Sequence, residues 1–387
     1  MRANFGGAMN EQARWLRRVS FAAGVALSCL GQAAASPRPG TYAQTVREPK
    51  TTIQVSGTSN RLQAVSPVDE NVVWASGVNG TYVVTTDGGA TWRAGVVPGA
   101  ETLQFRDVQA VSEGVAYLLA AGQGSNSRIY KTENGGRNWT LQFVAPDDPS
   151  YFYDCFAFWT PESGITMADG INATGQFPAI RTTDGKKWKS ISLPAAQKDE
   201  GAFAASGTCV ATLGETRAWI VTTNSRVFAS SDRGERWASY LTPIAGGTGT
   251  SGVFTVAFRD GRHGVIGGGD FSSAKILDNF ARSRDGGKTW HLTPQAPVPG
   301  AIFGLAYAQS TSDRKREVAD EDRGRGDSRQ EQTKVVVTGP GGAAWTTDEG
   351  ENWNPLPDVA GYWAVAFANE HDGWLVGTGG RILKITF

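Results

Sequence analysis

The chain is poor in the residues that carry most enzymatic chemistry. It has three histidines and three cysteines in 387 residues. His263, His291 and His371 stand far apart, and no Cys/His spacing suits a metal ion. No nucleotide-binding or redox motif is present, so neither a metal nor a cofactor is expected. Net charge is absent too: 37 Lys and Arg balance 37 Asp and Glu. Nothing in that balance points to nucleic acid or to an anionic membrane surface. The apolar run Val19–Gly31 is too short for a comfortable membrane span. One G-x-G-x-x-G segment, Gly247–Gly252, precedes a strand pattern rather than a helix, so the geometry that cradles a phosphate is missing.

What is abundant is glycine, with 49 residues, and tryptophan, with 13. Together they indicate many turns between short strands. The first 35 residues stand apart. Arg14, Arg17 and Arg18 precede the apolar run, and Ala33 and Ala35 are placed for an A-x-A cut before Ser36. Residues 1–35 therefore read as a secretory signal peptide and 36–50 as a linker. Cys29 lacks the Leu three residues earlier that a lipid-modified cysteine would want. The expected location is the periplasm or the exterior, where disulfides persist.

An eight-residue pattern, [ST]-x-[DN]-x-G-x-x-W, recurs along the chain. It occurs at Thr85–Trp92, Thr132–Trp139, Ser230–Trp237, Ser283–Trp290 and Thr346–Trp353, with a copy one residue short at Thr182–Trp188. Successive tryptophans are 47, 49, 49, 53 and 63 residues apart. A period near 50 is the mark of a propeller or solenoid. An Ala flanked by apolar residues opens each unit: Ala64, Ala110, Ala157, Ala211, Ala257, Ala306 and Ala366. Each unit then reads as four short antiparallel strands, one propeller blade. Seven openings but six Asp motifs leave the last unit short of a strand. Thr51–Gly57 is expected to supply it, which would close an all-β, seven-bladed propeller over residues 51–387 and remove exposed sheet edges.

The motif's chemistry reads as structural. The acidic or amide residues Asp87, Asn134, Asp184, Asp232, Asp285 and Asp348 are expected to accept backbone N–H bonds two residues on. The Gly at the fifth position allows positive φ. Trp92, Trp139, Trp188, Trp237, Trp290 and Trp353 offer large apolar bodies to bury against the blade.

These motifs resemble the Asp boxes, or BNR repeats, of sialidases, sortilin-type receptors and some glycanases. The longer unit is similar to that of the photosystem II assembly and stability factor family of seven-bladed propellers, over about residues 51–387. That resemblance implies a non-enzymatic, extracytoplasmic assembly factor holding a protein partner, including a membrane-protein one. The alternative is a carbohydrate-active enzyme of glycoside hydrolase or sialidase type. A sialidase would show an Arg-Ile-Pro segment, and none occurs. Xyloglucan-cleaving relatives place their cleft between two propellers, and this chain encodes one.

Function is expected on the face that carries the loops between blades and between second and third strands. There the candidates are Asp148, Tyr151, Tyr153, Asp154, Asp169, Asn172, Asp270 and Phe271. Aromatic surface beside carboxylates suits a peptide or a sugar. No residue is assigned a catalytic role, and the propeller is expected to be monomeric with no transmembrane span after processing. His263 and His371 fall in equivalent turns. Residues 311–332 hold many charges of both signs and read as a disordered insert in blade six. Cys155 and Cys209 occupy equivalent places on the first strands of adjacent blades. Divergence of those strands argues for two buried thiols over an inter-blade bridge.

Overall fold

The structure is a computed structural model, and it describes residues 48–309 and 333–387. The signal-peptide segment, most of the linker and the charged insert 311–332 lie outside the described residues. The described strands form seven four-stranded antiparallel sheets. Numbered in chain order, blade one is β2–β5 (residues 62–96), blade two β6–β9 (105–144) and blade three β10–β13 (153–191). Blade four is β14–β17 (210–241), blade five β18–β21 (251–292) and blade six β22–β25 (304–355). Blade seven is β26–β28 (362–386) completed by β1, Lys50–Val55. The seven-bladed propeller and its N-terminal closing strand are as the repeat count requires.

Closure is antiparallel, with Lys50 opposite Thr386 and Val55 opposite Arg381. Gln54 fastens it. Its Oε1 accepts bonds from Trp92 Nε1 (3.1 Å) and Trp374 Nε1 (3.2 Å), and its Nε2 donates to the Gly88 carbonyl (3.1 Å). One side chain thus joins blade seven to the Asp box of blade one.

Burial falls off along the radius of each blade. The second strands, such as Val73–Gly77 and Ala116–Ala120, are buried at every residue. They are packed on both faces by neighbouring blades, so they read as continuous apolar runs. The fourth strands, such as Arg93–Val96 and Ala238–Leu241, are mostly exposed.

The Asp boxes form pinned turns of one geometry. The N–H of the fifth-position glycine donates to the leading Ser or Thr Oγ: Gly89 to Thr85, Gly136 to Thr132, Gly234 to Ser230 and Gly287 to Ser283, each at 2.9 Å. The carboxylate accepts from the N–H four residues on, rather than the expected two, as in Asp87–Thr91 and Asp285–Thr289 (both 2.9 Å). Two successive left-handed residues widen the turn, so the acceptor reaches one peptide pair further. The shortened copy does bond two and three residues on, from Lys186 (2.9 Å) and Lys187 (2.8 Å) to Asp184. Each box also keys into the preceding blade. Tyr82 Oη donates to the Gly136 carbonyl (2.8 Å), and Trp219 Nε1 to the Gly286 carbonyl (2.9 Å).

Two sequence expectations need correction. Cys155 and Cys209 are joined by a disulfide, with Cα atoms 5.9 Å apart. Blades do diverge outward, but Cys155 lies on the first strand of blade three and Cys209 just ahead of the first strand of blade four, the strands at which neighbouring blades converge on the axis. The Ala markers also slip in two blades. Pairing to the second strands aligns Ala157 and Ala211 with Ser66 and Gln109, so Ala64 falls two positions early and Ala110 one late. Inner strands mix polar and apolar residues on both faces, which leaves no clean alternation to fix their register.

Candidate functional site

Five of the seven first strands carry a bulge near their start. The register breaks between Leu62 and Ala64, Phe105 and Asp107, Tyr153 and Cys155, Val253 and Thr255, and Tyr362 and Ala364. A bulge frees one residue from the ladder and re-aims its side chain. The freed residues are Gln63, Arg106, Asp154, Phe254 and Trp363. Thr208 and Phe303 hold the matching places just ahead of β14 (Val210–Leu213) and β22 (Gly304–Tyr307). One residue per blade therefore rings the axis. The ring is divided: Gln63, Arg106, Asp154 and Thr208 are polar, while Phe254, Phe303 and Trp363 are aromatic.

Over part of this ring lies an open cavity of about 700 Å³ on the loop face. Its aromatic wall is continuous. Phe203 stacks on Phe254 with centroids 3.8 Å apart, Phe254 on Phe303 at 5.3 Å, and Phe303 meets Trp363 edge-on at 5.0 Å. Phe271 stands edge-on to Phe203 and Phe254, and is 49% exposed. These rings already hold cations at the rim: the Arg61 guanidinium lies 4.6 Å from the Trp363 centroid and that of Arg106 5.7 Å from Phe152.

The polar side belongs to blades two and three. Asp154 lines the cavity, is 1% exposed, and neither carboxylate oxygen has a hydrogen-bond partner. Burial pushes its carboxyl well above the usual range, and the charge of Asp169 adds to this while Arg106 opposes it. Asp169 is also raised by burial, though its Oδ1 accepts the Ala202 N–H at 2.7 Å. Arg106 spends its donors on the Gln104 side chain (Nη2, 2.9 Å) and the Ala204 carbonyl (3.2 Å). Gln63, fully buried at the matching place in blade one, also has both polar atoms without a partner.

The third wall is the connection from β13 to β14, residues 192–209. Glu200 anchors it, accepting from Arg226 Nε (2.8 Å), Thr222 Oγ1 (2.6 Å) and the Gln197 N–H (2.7 Å). The disulfide ties its far end to blade three. The loop therefore presents Phe203 from a fixed position.

Of the sequence candidates, the structure gathers Asp154, Asp169 and Phe271 at this cavity. Tyr153 is buried beneath it, edge-on to Phe143 at 5.6 Å, and Tyr151 leans on Tyr153. Asp148, Asn172 and Asp270 cap their own turns, accepting the N–H groups of Ser150 (2.8 Å), Thr174 (3.0 Å) and Ser272 (2.9 Å). Sequence reasoning did not single out Arg61, Arg106, Phe203, Phe254, Phe303 or Trp363. A signal existed for most of the ring: Asp154, Thr208, Phe254, Phe303 and Trp363 each lie three residues before an Ala marker. A second depression, between blades three and four on the Asp-box side, is lined by solvated Arg181, Lys187 and Lys189. Arg181 is already committed there to the Arg233 carbonyl (2.7 Å) and Glu235 (2.5 Å).

His263 and His371 do lie in turns, where their N–H groups donate to Asp260 (2.6 Å) and Asn369 (2.8 Å). Among the described residues no cluster of His, Cys, Asp or Glu could hold a metal ion, and no helix is long and apolar enough to cross a membrane.

Comparison with known proteins bears on the repeat and the fold. The BNR/Asp-box repeat family matches residues 281–292. No curated protein sequence matches the chain. A solved structure of YCF48 bound to D1 peptide superposes with a TM-score of 0.57 at 15% identity, covering 88% of this chain and 98% of that one. YCF48 from Cyanidioschyzon merolae gives 0.57 at 14% identity, covering 87% and 98%. The GH74 xyloglucanase from Xanthomonas campestris gives 0.52 at 14% identity, covering 86% of this chain and 53% of that one. The chain is thus a seven-bladed propeller built on BNR/Asp-box repeats and similar in fold to YCF48.

Proposed function

We propose that this propeller is a non-catalytic, extracytoplasmic binding factor that holds a segment of a protein partner over the axial cavity of its loop face. The observation that carries this reading is the cavity itself. It is open, walled by aromatic side chains, and lined by Asp154, whose carboxylate oxygens have no hydrogen-bond partner. Aromatic anchors with a few converging polar groups are the usual make-up of a recognition surface. YCF48, similar in fold, has been solved with a peptide bound. The buried Cys155–Cys209 bridge and the sequence of residues 1–35 support a location outside the cytoplasm, in the periplasm or beyond.

A photo-crosslinking residue at Phe271, on the cavity rim, tests the reading in the intact envelope. A control at Lys288, in an Asp box on the opposite face, should stay silent. Crosslinks to a discrete protein from position 271 alone are expected. Equal labelling from both positions, or none from 271, would refute it.

The second reading is a glycan-acting enzyme. What favours it is the pairing of Asp154 and Asp169 beside aromatic rings, since glycosidases use two carboxylates. Release of reducing ends from cell-wall glycans, lost in Asp154→Asn and Asp169→Asn alike, would establish it in place of the first.

A further inference from the structure

We infer that the axial cavity selects a partner segment carrying a primary ammonium group, a lysine side chain, which enters between Asp154 and the aromatic wall. This rests on the binding reading above and specifies its ligand.

The argument begins with Asp154. A buried carboxylate without a hydrogen bond is among the costlier features a fold can keep. In this fold it occupies one of seven equivalent positions, five of them bulges, where the other blades place Thr, Gln, Arg or aromatics. The residue lines the cavity, and its two oxygens are buried and accept nothing from the protein. They therefore lack the donor that a buried carboxylate needs.

Charge balance gives the sign of that donor. Of the other buried acids nearby, Glu200 is engaged by Arg226, and Asp107 accepts the Phe156 and Val108 N–H groups (2.8 and 2.7 Å). Asp199 is exposed on the rim. The groups that act on Asp154 are Asp169 and Arg106, so two carboxyls, both held towards their protonated forms by burial, face one guanidinium. A cation entering there would favour their ionised forms, and with both ionised a single positive charge makes the site neutral. Arg61, the other nearby cation, acts on Arg106 and rests on Trp363, away from Asp154. Arg106 directs its Nε and Nη2 at Gln104 and its Nη1 at the Ala204 carbonyl, and donates nothing to Asp154.

The walls fit the rest of the side chain. Phe203 and Phe271 leave ring surface open to the cavity, and a lysine would lay its methylenes along them with its ammonium at the carboxylates. Arg61 on Trp363 and Arg106 on Phe152 show the same pairing of cation and ring already made within the fold.

The test uses the processed protein with three capped pentapeptides, acetyl-Gly-Gly-X-Gly-Gly-amide, where X is Lys, norleucine or Glu. Titration calorimetry should find the Lys peptide at least tenfold tighter than the norleucine one. Asp154→Asn should bring that ratio close to one and leave the norleucine peptide unchanged. Asp169→Asn, just past the end of β11 (Ser163–Ala168), should lower the ratio part of the way, and it keeps the test open if Asp154→Asn does not fold. Equal affinity for Lys and norleucine, preference for Glu, or no heat for any peptide at millimolar concentration would each overturn the inference. Butylammonium binding as tightly as the Lys peptide would overturn it as well, because the occupant would then be a small free amine. None of these results touches the crosslinking experiment at Phe271, so the wider binding reading stands or falls separately.

Discussion

Carboxylates in this chain are pushed in opposite directions by their surroundings. Asp154 is raised well above the usual range by burial and by Asp169. The folded protein therefore holds that proton more tightly than the unfolded chain does, whose Asp titrates near 3.9. Stability from this group is greatest in acid and declines as pH rises above about 4. Asp154→Asn should remove the decline. Its stability relative to the native chain should gain up to about 1.4 kcal/mol per pH unit from pH 4 upward until Asp154 ionises, and should match it below pH 4. Urea unfolding at one-unit steps from pH 4 to 7 measures this; a difference independent of pH would show that Arg106 already satisfies the charge. Asp87 behaves oppositely. Hydrogen bonds from Thr91 and Thr85 hold its carboxyl at about 2. Its contribution is complete above about pH 4 and is lost as pH falls towards 2. Asp184, Asp232, Asp285 and Asp348 are lowered as well, so acid unfolding should set in between pH 4 and 2, followed by tryptophan fluorescence.

At the scale of the element, the Asp box shows why a short motif can be read so directly. Every contact that defines it falls within eight residues, so spacing in the sequence is spacing in space. Ser283 Oγ receives the Gly287 N–H and donates to Asp285 Oδ1 (2.9 Å). Ser283→Ala should cost about 1–3 kcal/mol by leaving a buried N–H without its acceptor. Gly287→Ala should cost about as much by a different route. Its φ is +88°, and an added Cβ would sit 3.0 Å from Trp219 Nε1 in the preceding blade. Thermal unfolding of both variants checks the pair, and a neutral Gly287→Ala would mean that the box does not wedge between blades. The inner strands are the contrary case. With both faces buried they carry no period-two pattern, and so Ala64 and Ala110 misalign although five other markers agree.

The whole molecule is a ring, and rings depend on their closures. Removing residues 48–55 would strip β1 from blade seven and leave β28 (Arg381–Thr386) as an open edge. It would also delete Gln54 and its three bonds, one to Trp374 in blade seven and two to the Asp box of blade one. The truncated chain should lose several degrees in melting temperature and form soluble aggregates seen by light scattering. The disulfide acts across blades three and four. It closes a loop of 54 residues, for which the chain-entropy account gives about 4 kcal/mol. Cys155→Ala/Cys209→Ala should lower unfolding free energy by about 2–4 kcal/mol, and dithiothreitol should do the same to the native chain but nothing further to the variant. An unchanged urea midpoint in the double variant would show that packing alone holds the two blades.

The repeat, its period and the one missing strand are local or countable facts. They determined the blade number, the four strands per blade, the position of the Asp boxes and the closure by an N-terminal strand. The axial site is neither local nor countable. Gln63, Arg106, Asp154, Thr208, Phe254, Phe303 and Trp363 span 300 residues of chain and meet only because each first strand starts at the axis. A one-residue bulge decides which side chain is freed, and bulges depend on pairing between strands that the sequence of one strand does not reveal. The same convergence brings Cys155 and Cys209 within bridging distance, where reasoning from the average spacing of sheets expected them apart. Local hydrogen-bonding patterns are written in the sequence, whereas the contents of a ring's centre are set by where seven separate strands happen to point.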